Sequence, residues 1–384
     1  MNLQNFDDIR PYEDREVGEV IHRLLRNKDF LNFISGWQLP GIYNLLPWGA
    51  RLMTAIYLRM WLGRVRSISQ FQKRVYFVVR KIIEETTDGF VYEGIQDLDP
   101  TQSYIFISNH RDIAGDSMLL DYALYESGFD TVRIAVGDNL VQVGFATDLM
   151  KLNKSFFIRR SEEGAKKIYA ALLQSSQYIH HSLRNGHSIW IAQSEGRAKD
   201  GMDITDAAII KMFALAERKA DFDNLIERLN IVPLAISYEY DSCDIAKALE
   251  LQVTEQEGVY EKPQGEDLEN LARGLGGYKG RVVLRVGKPI RGEYGTADAV
   301  AKEVDSQIRR NLQLFPINYW ALSQLNDPPY NVINARFITD PDDNAPYFEQ
   351  RLQQCPEKAR HHWLRMYANP VVNKYQLWPL RISP

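Results

Sequence analysis

The feature that most constrains this chain is an alternation between residues 89 and 300 of short apolar runs with segments of helical spacing. Strands are predicted at 103–108, Val132–Val136, Ser188–Ala192, Ile231–Ser237 and Arg281–Val286. Helices are predicted at 117–127, 162–184, 203–220 and 296–312. Strands separated by helices pack as an α/β sheet with helices over its faces. Such folds place their chemistry beyond the carboxyl ends of the strands. The polar loops that follow the apolar runs are therefore the places to look.

The first of these loops carries the most. The run from Tyr104 to Ile107 reads as a buried strand. It ends in Ser108-Asn109, which is turn chemistry, and His110 follows at once with acids at Asp112 and Asp116. A carboxylate can orient an imidazole and raise its basicity. Alone, a histidine after a strand is most often structural, and His22, His180, His181, His187, His361 and His362 take that reading. Three further segments follow in order. Ser155-Phe-Phe-Ile-Arg159-Arg160 is an apolar run ending in two guanidinium groups before a helix, a combination suited to phosphate. Ser188-Ile-Trp-Ile-Ala-Gln-Ser-Glu195-Gly196-Arg197 is a strand entering a polar loop, where glycine admits a ligand close to the backbone. Ile231-Val-Pro233-Leu-Ala-Ile-Ser-Tyr238-Glu239 is a strand whose proline belongs at a start, an edge or a bulge.

Composition removes several function classes. A net charge of −4 over 384 residues gives no argument for nucleic acid. Cys243 and Cys355 are the only cysteines, which excludes a disulfide framework and a cysteine metal cluster and favours a reducing compartment. No uncharged apolar run approaches the ~20 residues of a spanning helix. Gly274-Leu-Gly276-Gly277 precedes a strand and opens no helix, so it fails as a nucleotide loop. Gly115-Asp116-Ser117-Met118 resembles an esterase nucleophile block, but no downstream Asp-x-x-His completes it.

The flanks differ from the centre. Residues 1–88 read as a helical region, with a helix at Glu16–Arg26 and an apolar loop from Gly36 to Pro47. From Arg51 to Lys81 there are eight basic residues and no acid, interleaved with Tyr57, Met60, Trp61, Phe71 and Phe77. That pattern suits an anionic bilayer surface, an acidic carrier protein, or a helical hairpin with solvated arginines. Residues 89–312 form the main domain. Residues 313–384 are expected to be an irregular extension packed on it, with one helix at Pro346–Met366.

Taken together, the four segments resemble the glycerophospholipid acyltransferases, the glycerol-3-phosphate and 1-acylglycerol-3-phosphate acyltransferases. Asn-His followed by an acid, then Phe-x-x-Arg, then Glu-Gly-Arg, then a Val-Pro strand all stand here in that order over roughly residues 90 to 290. The resemblance implies a central mixed sheet flanked by helices. It implies His110 as general base, with Asn109, Arg111, Asp112, Arg159, Arg160, Glu195, Gly196 and Arg197 binding substrate. It implies no metal and no permanently bound cofactor. The co-substrate is acyl-CoA or acyl carrier protein, the acceptor a glycerophosphate or lysophospholipid, and the setting cytoplasmic or peripheral on the inner face of the cell membrane. Two alternatives keep the scaffold: a different lipid acceptor, or a non-catalytic membrane-binding protein. One departure stands out. The family has four residues between His and Asp, whereas Asp116 lies one position further on and Gly115 takes the usual place. On a regular helix that would turn the carboxylate by about 100°. Asp116 or Asp112 is then the partner of His110, with Gly115 available to absorb the extra residue.

Overall fold

The computed structural model describes residues 6–138, 144–159, 162–263, 265–334 and 343–377. Helices α1 (Asp14–Leu24), α2 (Lys28–Gln38), α3 (Pro40–Leu45), α4 (Pro47–Leu62) and α5 (Ile68–Thr86) precede strands β1 (Gly89–Glu93) and β2 (Ile105–Ser108). Then come α6 (Gly115–Glu126), β3 (Arg133–Gly137), α7 (Gly144–Leu152), β4 (Ser155–Ile158), α8 (Ala165–Arg184) and β5 (Ile189–Ala192). They are followed by α9 (Ala207–Ala214), α10 (Phe222–Arg228), β6 (Ile231–Tyr238), α11 (Asp244–Glu257), α12 (Glu266–Gly276), β7 (Arg281–Val286) and α13 (Ala297–Asn311). The last helices are α14 (Pro316–Ser323), α15 (Tyr330–Asn334), α16 (Ala345–Gln354) and α17 (Arg360–Lys374).

The fold is α/β, with a seven-stranded sheet in the order β1-β7-β6-β2-β5-β3-β4. It is mixed: β6 and β7 are antiparallel, while β1 with β7, β2 with β6, and β3 with both β4 and β5 are parallel. The apolar runs are apolar because β2 and β4 are buried at every residue and β6 at all but its last. Edge strand β1 alternates instead, and was not predicted. Pro233 lies within a central strand without breaking its ladder. The carbonyl of Pro233 accepts from Gly287 N at 2.7 Å, while β6–β7 pairing begins only at Leu234 opposite Val286. The missing N–H thus faces past the end of β7.

The chain forms two compact units that do not follow chain order. One comprises Met1–Lys81, Asp130–Ile191 and Met212–Lys219, the other Ile82–Phe129, Ala192–Lys211 and Ala220–Pro384. In the first unit α1 buries Val17, Val20, Ile21 and Leu24 and opens with a capping box of Glu13 and Glu16. The predicted loop at 36–47 is instead helical. Pro40 and Pro47 stand in the first turns of α3 and α4, where a missing N–H costs no hydrogen bond.

In the second unit the C-terminal extension is more regular than its composition suggested. The single helix predicted at 346–366 is two, α16 and α17, because Pro356 follows the cap Cys355 and cannot continue the ladder. Trp363, Phe348, Tyr330, Ile317 and Leu322 are buried together in a core that also takes Ala248 of α11.

Candidate active site

The site is built within the second unit on the loop from β2 to α6. Asn109 is fully buried. Its Nδ2 donates to Ile236 O at 2.9 Å and its Oδ1 accepts from Ile236 N at 2.8 Å. These two bonds fix the end of β2 to β6, and the Asn109 side chain also hydrogen-bonds the Asp203 carboxylate. His110 follows, and its Nδ1 stands 2.8 Å from Asp116 Oδ2; the side chains are 15% and 0% exposed. A carboxylate only accepts, so Nδ1 carries the proton and proton transfer falls to Nε2.

Asp116 is over-determined. Its Oδ2 also accepts from Arg111 N at 2.7 Å and Asp112 N at 3.1 Å, and its Oδ1 accepts from Tyr238 Oη at 2.8 Å. It lies in the first turn of α6, where the helix dipole favours negative charge. Burial raises the Tyr238 phenol well above its ordinary range, with the charge of Asp116 adding to it, so Tyr238 is a neutral donor throughout the working range.

The extra residue in the motif has a physical account. Residues 109–114 are not helical, so the argument from helical rotation does not apply; α6 begins only at Gly115. Asp112 turns back and its Oδ1 accepts from Ala114 N at 3.1 Å and Gly115 N at 2.7 Å, closing the start of the helix. A Cβ at Gly115 would lie 2.9 Å from Asp112 Cγ, and one at Gly274 would lie 2.5 Å from Asp112 Oδ2. Asp112 is thus packed between two glycines, and its carboxyl is raised above the usual range by burial and by Asp116. Of the two acids, Asp116 meets the imidazole and Asp112 caps the helix.

Arg111, expected at the substrate, points elsewhere. Its guanidinium donates to Ala198 O at 3.1 Å, Gly201 O at 3.1 Å and Asp203 Oδ2 at 2.6 Å. Burial pushes Asp203 up to about 6 against the opposing pull of Arg111. Lys247, itself 1% exposed, donates to Arg111 O at 2.6 Å and pairs with Asp241. Burial alone would raise Asp241; the charge and hydrogen bond of Lys247 bring it below the usual range. Tyr238, Asp203 and Lys247 were not singled out from the sequence. Only Tyr238 had a signal there, standing in the fourth motif on the same strand face as Ile236.

The third motif enters the same unit. Gln193 N donates to Ser108 O at 2.8 Å and Ala198 N to His110 O at 2.9 Å, so the loop carrying Glu195, Gly196 and Arg197 is stitched to the histidine loop. Glu195 and Gly196 are exposed and Arg197 half-buried. Gly196 has φ +75, where a side chain would be strained. Behind Tyr238 and Arg111 lies a cavity of about 40 Å³, also lined by Asp241, Gln313, Asn318 and Tyr367. Arg159 belongs to the other unit, where it pairs with Asp8. Arg160 lies outside the described residues. Among the described residues no three His, Cys, Asp or Glu side chains gather as a metal site.

Comparison with known proteins shows what the stretch around this site is similar to. Residues 89–237 match the family model described as Acyltransferase, a span that opens at β1 and ends within β6. Among solved structures the chain is similar to the 1-acyl-sn-glycerophosphate (LPA) acyltransferase PlsC from Thermotoga maritima. The two are 14% identical, the match covers 74% of this chain and 95% of that one, and the TM-score is 0.40. No curated protein sequence matches. The stretch from β1 to β6, which holds His110, Asp116 and the Glu195-Gly196-Arg197 loop, is the part of the chain that matches the Acyltransferase family model.

Proposed function

We propose that the protein moves a fatty acyl group from a thioester, acyl-CoA or acyl carrier protein, to a hydroxyl of glycerol-3-phosphate or 1-acylglycerol-3-phosphate. The observation that carries the reading is the 2.8 Å contact between His110 Nδ1 and a fully buried Asp116 at the end of β2. His110 Nε2 takes the proton of the acceptor hydroxyl as its oxygen attacks the thioester carbonyl. Asp116 holds the tautomer and supports the imidazolium. The C–S bond then breaks, and the departing sulfur takes the proton from the imidazolium, leaving an ester and a thiol. Glu195 and Arg197 would grip the acceptor's hydroxyl and phosphate.

The exposed face of α4 supports a working place at a membrane surface. No described helix is long and apolar enough to cross a membrane. Yet Trp48, Leu52, Met53, Ile56, Tyr57 and Met60 are all exposed on α4, among them Trp48 at 62% and Met60 at 73%. Arg59 and Arg64 are exposed beside them. An apolar helix face with a basic fringe fits the surface of an anionic bilayer, where a lipid substrate also resides.

The test measures thiol release from acyl-CoA and from acyl carrier protein, with glycerol-3-phosphate and 1-acylglycerol-3-phosphate offered in parallel and His110→Ala as control. Release that needs both His110 and one acceptor is expected. Release without an acceptor would make the protein a thioesterase, and no release with any pair would overturn the reading.

A further inference from the structure

The C-terminal helix α17 lies beyond the family-matched stretch, which ends at residue 237, yet it grips the loop that follows the third motif. Asn369 Nδ2 donates to Asp200 O at 2.7 Å and Asn373 Nδ2 to Asp203 O at 3.2 Å. Asn369 is locked in that orientation because its Oδ1 accepts from Tyr330 Oη at 2.7 Å. Between these two anchors the backbones meet directly. Pro370, inside α17, has no N–H for the carbonyl of Met366 one turn earlier. Gly201 lies on that carbonyl with φ +82, and a Cβ there would stand 2.3 Å from Met366 O. The proline opens the helix surface and the glycine occupies the opening.

The gripped loop leads to the histidine in two steps. Ala198 O, Gly201 O and Asp203 Oδ2 hold the Arg111 guanidinium, and Ala198 N holds the carbonyl of His110. The same loop begins with Glu195, Gly196 and Arg197. We propose that α17 is a positioning element of the active site: through Asn369, Asn373 and the Met366–Gly201 contact it sets the 198–203 loop, and so the acceptor-binding Glu195–Arg197 segment against His110. Asn369 and Asn373 touch no reacting atom and act through the loop. This rests on the proposed acceptor role of Glu195 and Arg197.

Two variants approach the contact from opposite sides. Asn369→Asp keeps the side-chain shape and the bond from Tyr330 but replaces the donor facing Asp200 O with an acceptor. Gly201→Ala drives a Cβ into Met366 O. The measurements are acceptor KM, donor KM and kcat, with hydrogen exchange of the 198–203 amides and the thermal midpoint of the full chain. Expected are an acceptor KM raised about 10-fold, a donor KM within about 2-fold, and faster exchange confined to 198–203 in Asn369→Asp, whose fold the buried C-terminal core retains. Unchanged exchange would overturn the proposal. So would faster exchange with unchanged kinetics, since α17 would then hold the loop without positioning the site. If Gly201→Ala fails to fold, Asn369→Asp alone decides. A wild-type protein that transfers no acyl group would sink the proposed function instead, and the exchange measurement would still report whether α17 holds the loop.

Discussion

The β2–α6 loop and the α4 helix are opposites in how their side chains are used. In the loop, the amide of Asn109, Oδ1 of Asp112 and both oxygens of Asp116 have named partners, and Asp116 alone receives four contacts on two oxygens. On α4, Ala50, Thr54, Leu58 and Leu62 are buried, while the outward positions carry Trp48, Leu52, Met53, Ile56 and Met60. Buried polar groups are costly unless satisfied, so the loop has one arrangement. An exposed apolar face gains nothing in water, so contacts within the fold do not account for it. The loop is specified by contacts within the chain, whereas for the α4 face the proposed membrane surface would supply them.

The largest effect that would break this contrast is on catalysis. His110→Ala is expected to lower kcat by about 10³-fold or more, and Asp116→Asn nearly as much, because an amide Nδ2 turned towards His110 Nδ1 would favour the wrong tautomer. Steady-state thiol release at matched protein concentration checks both. Tyr238→Phe should cost about 10-fold in kcat with KM unchanged, because Oδ1 of the buried Asp116 loses its donor. An unchanged kcat would remove Tyr238 from the site.

Gly115→Ala should destabilise the fold by about 1–3 kcal/mol, because the new Cβ meets the Asp112 carboxyl that caps α6. Chemical denaturation checks it, and a neutral result would mean that Asp112 is not held as described. The Asp203 carboxyl predicts a pH dependence. Its folded value of about 6 lies above the ordinary 3.8, so the native state binds this proton more tightly than the unfolded chain. That contribution to stability is full below about pH 4 and is lost as pH rises through about 6, at most about 3 kcal/mol. Asp203→Asn should flatten that part of the stability profile. The smallest effect on the fold is expected at α4. Leu52→Gln with Ile56→Gln should change stability by less than about 0.5 kcal/mol per site while weakening binding to anionic vesicles several-fold. A large loss of stability would show that this face packs within the protein and would dissolve the comparison.

By itself the sequence determined the α/β class, three of the four strands that bear the motifs (β4 was read only as an apolar run) and the order of the four motifs, because burial on both faces writes a strand as an unbroken apolar run and loops after such strands carry the polar residues. It also marked 51–81 as basic and aromatic. Only the tertiary structure decided which acid serves His110. The answer depends on Asp112 folding back on Gly115 and on Gly274, a residue more than 150 positions away whose missing side chain leaves room for the carboxylate. The same holds for Tyr238, Lys247 and α17, which reach the site through contacts between segments far apart in the chain, and spacing along one strand or helix carries no record of such contacts.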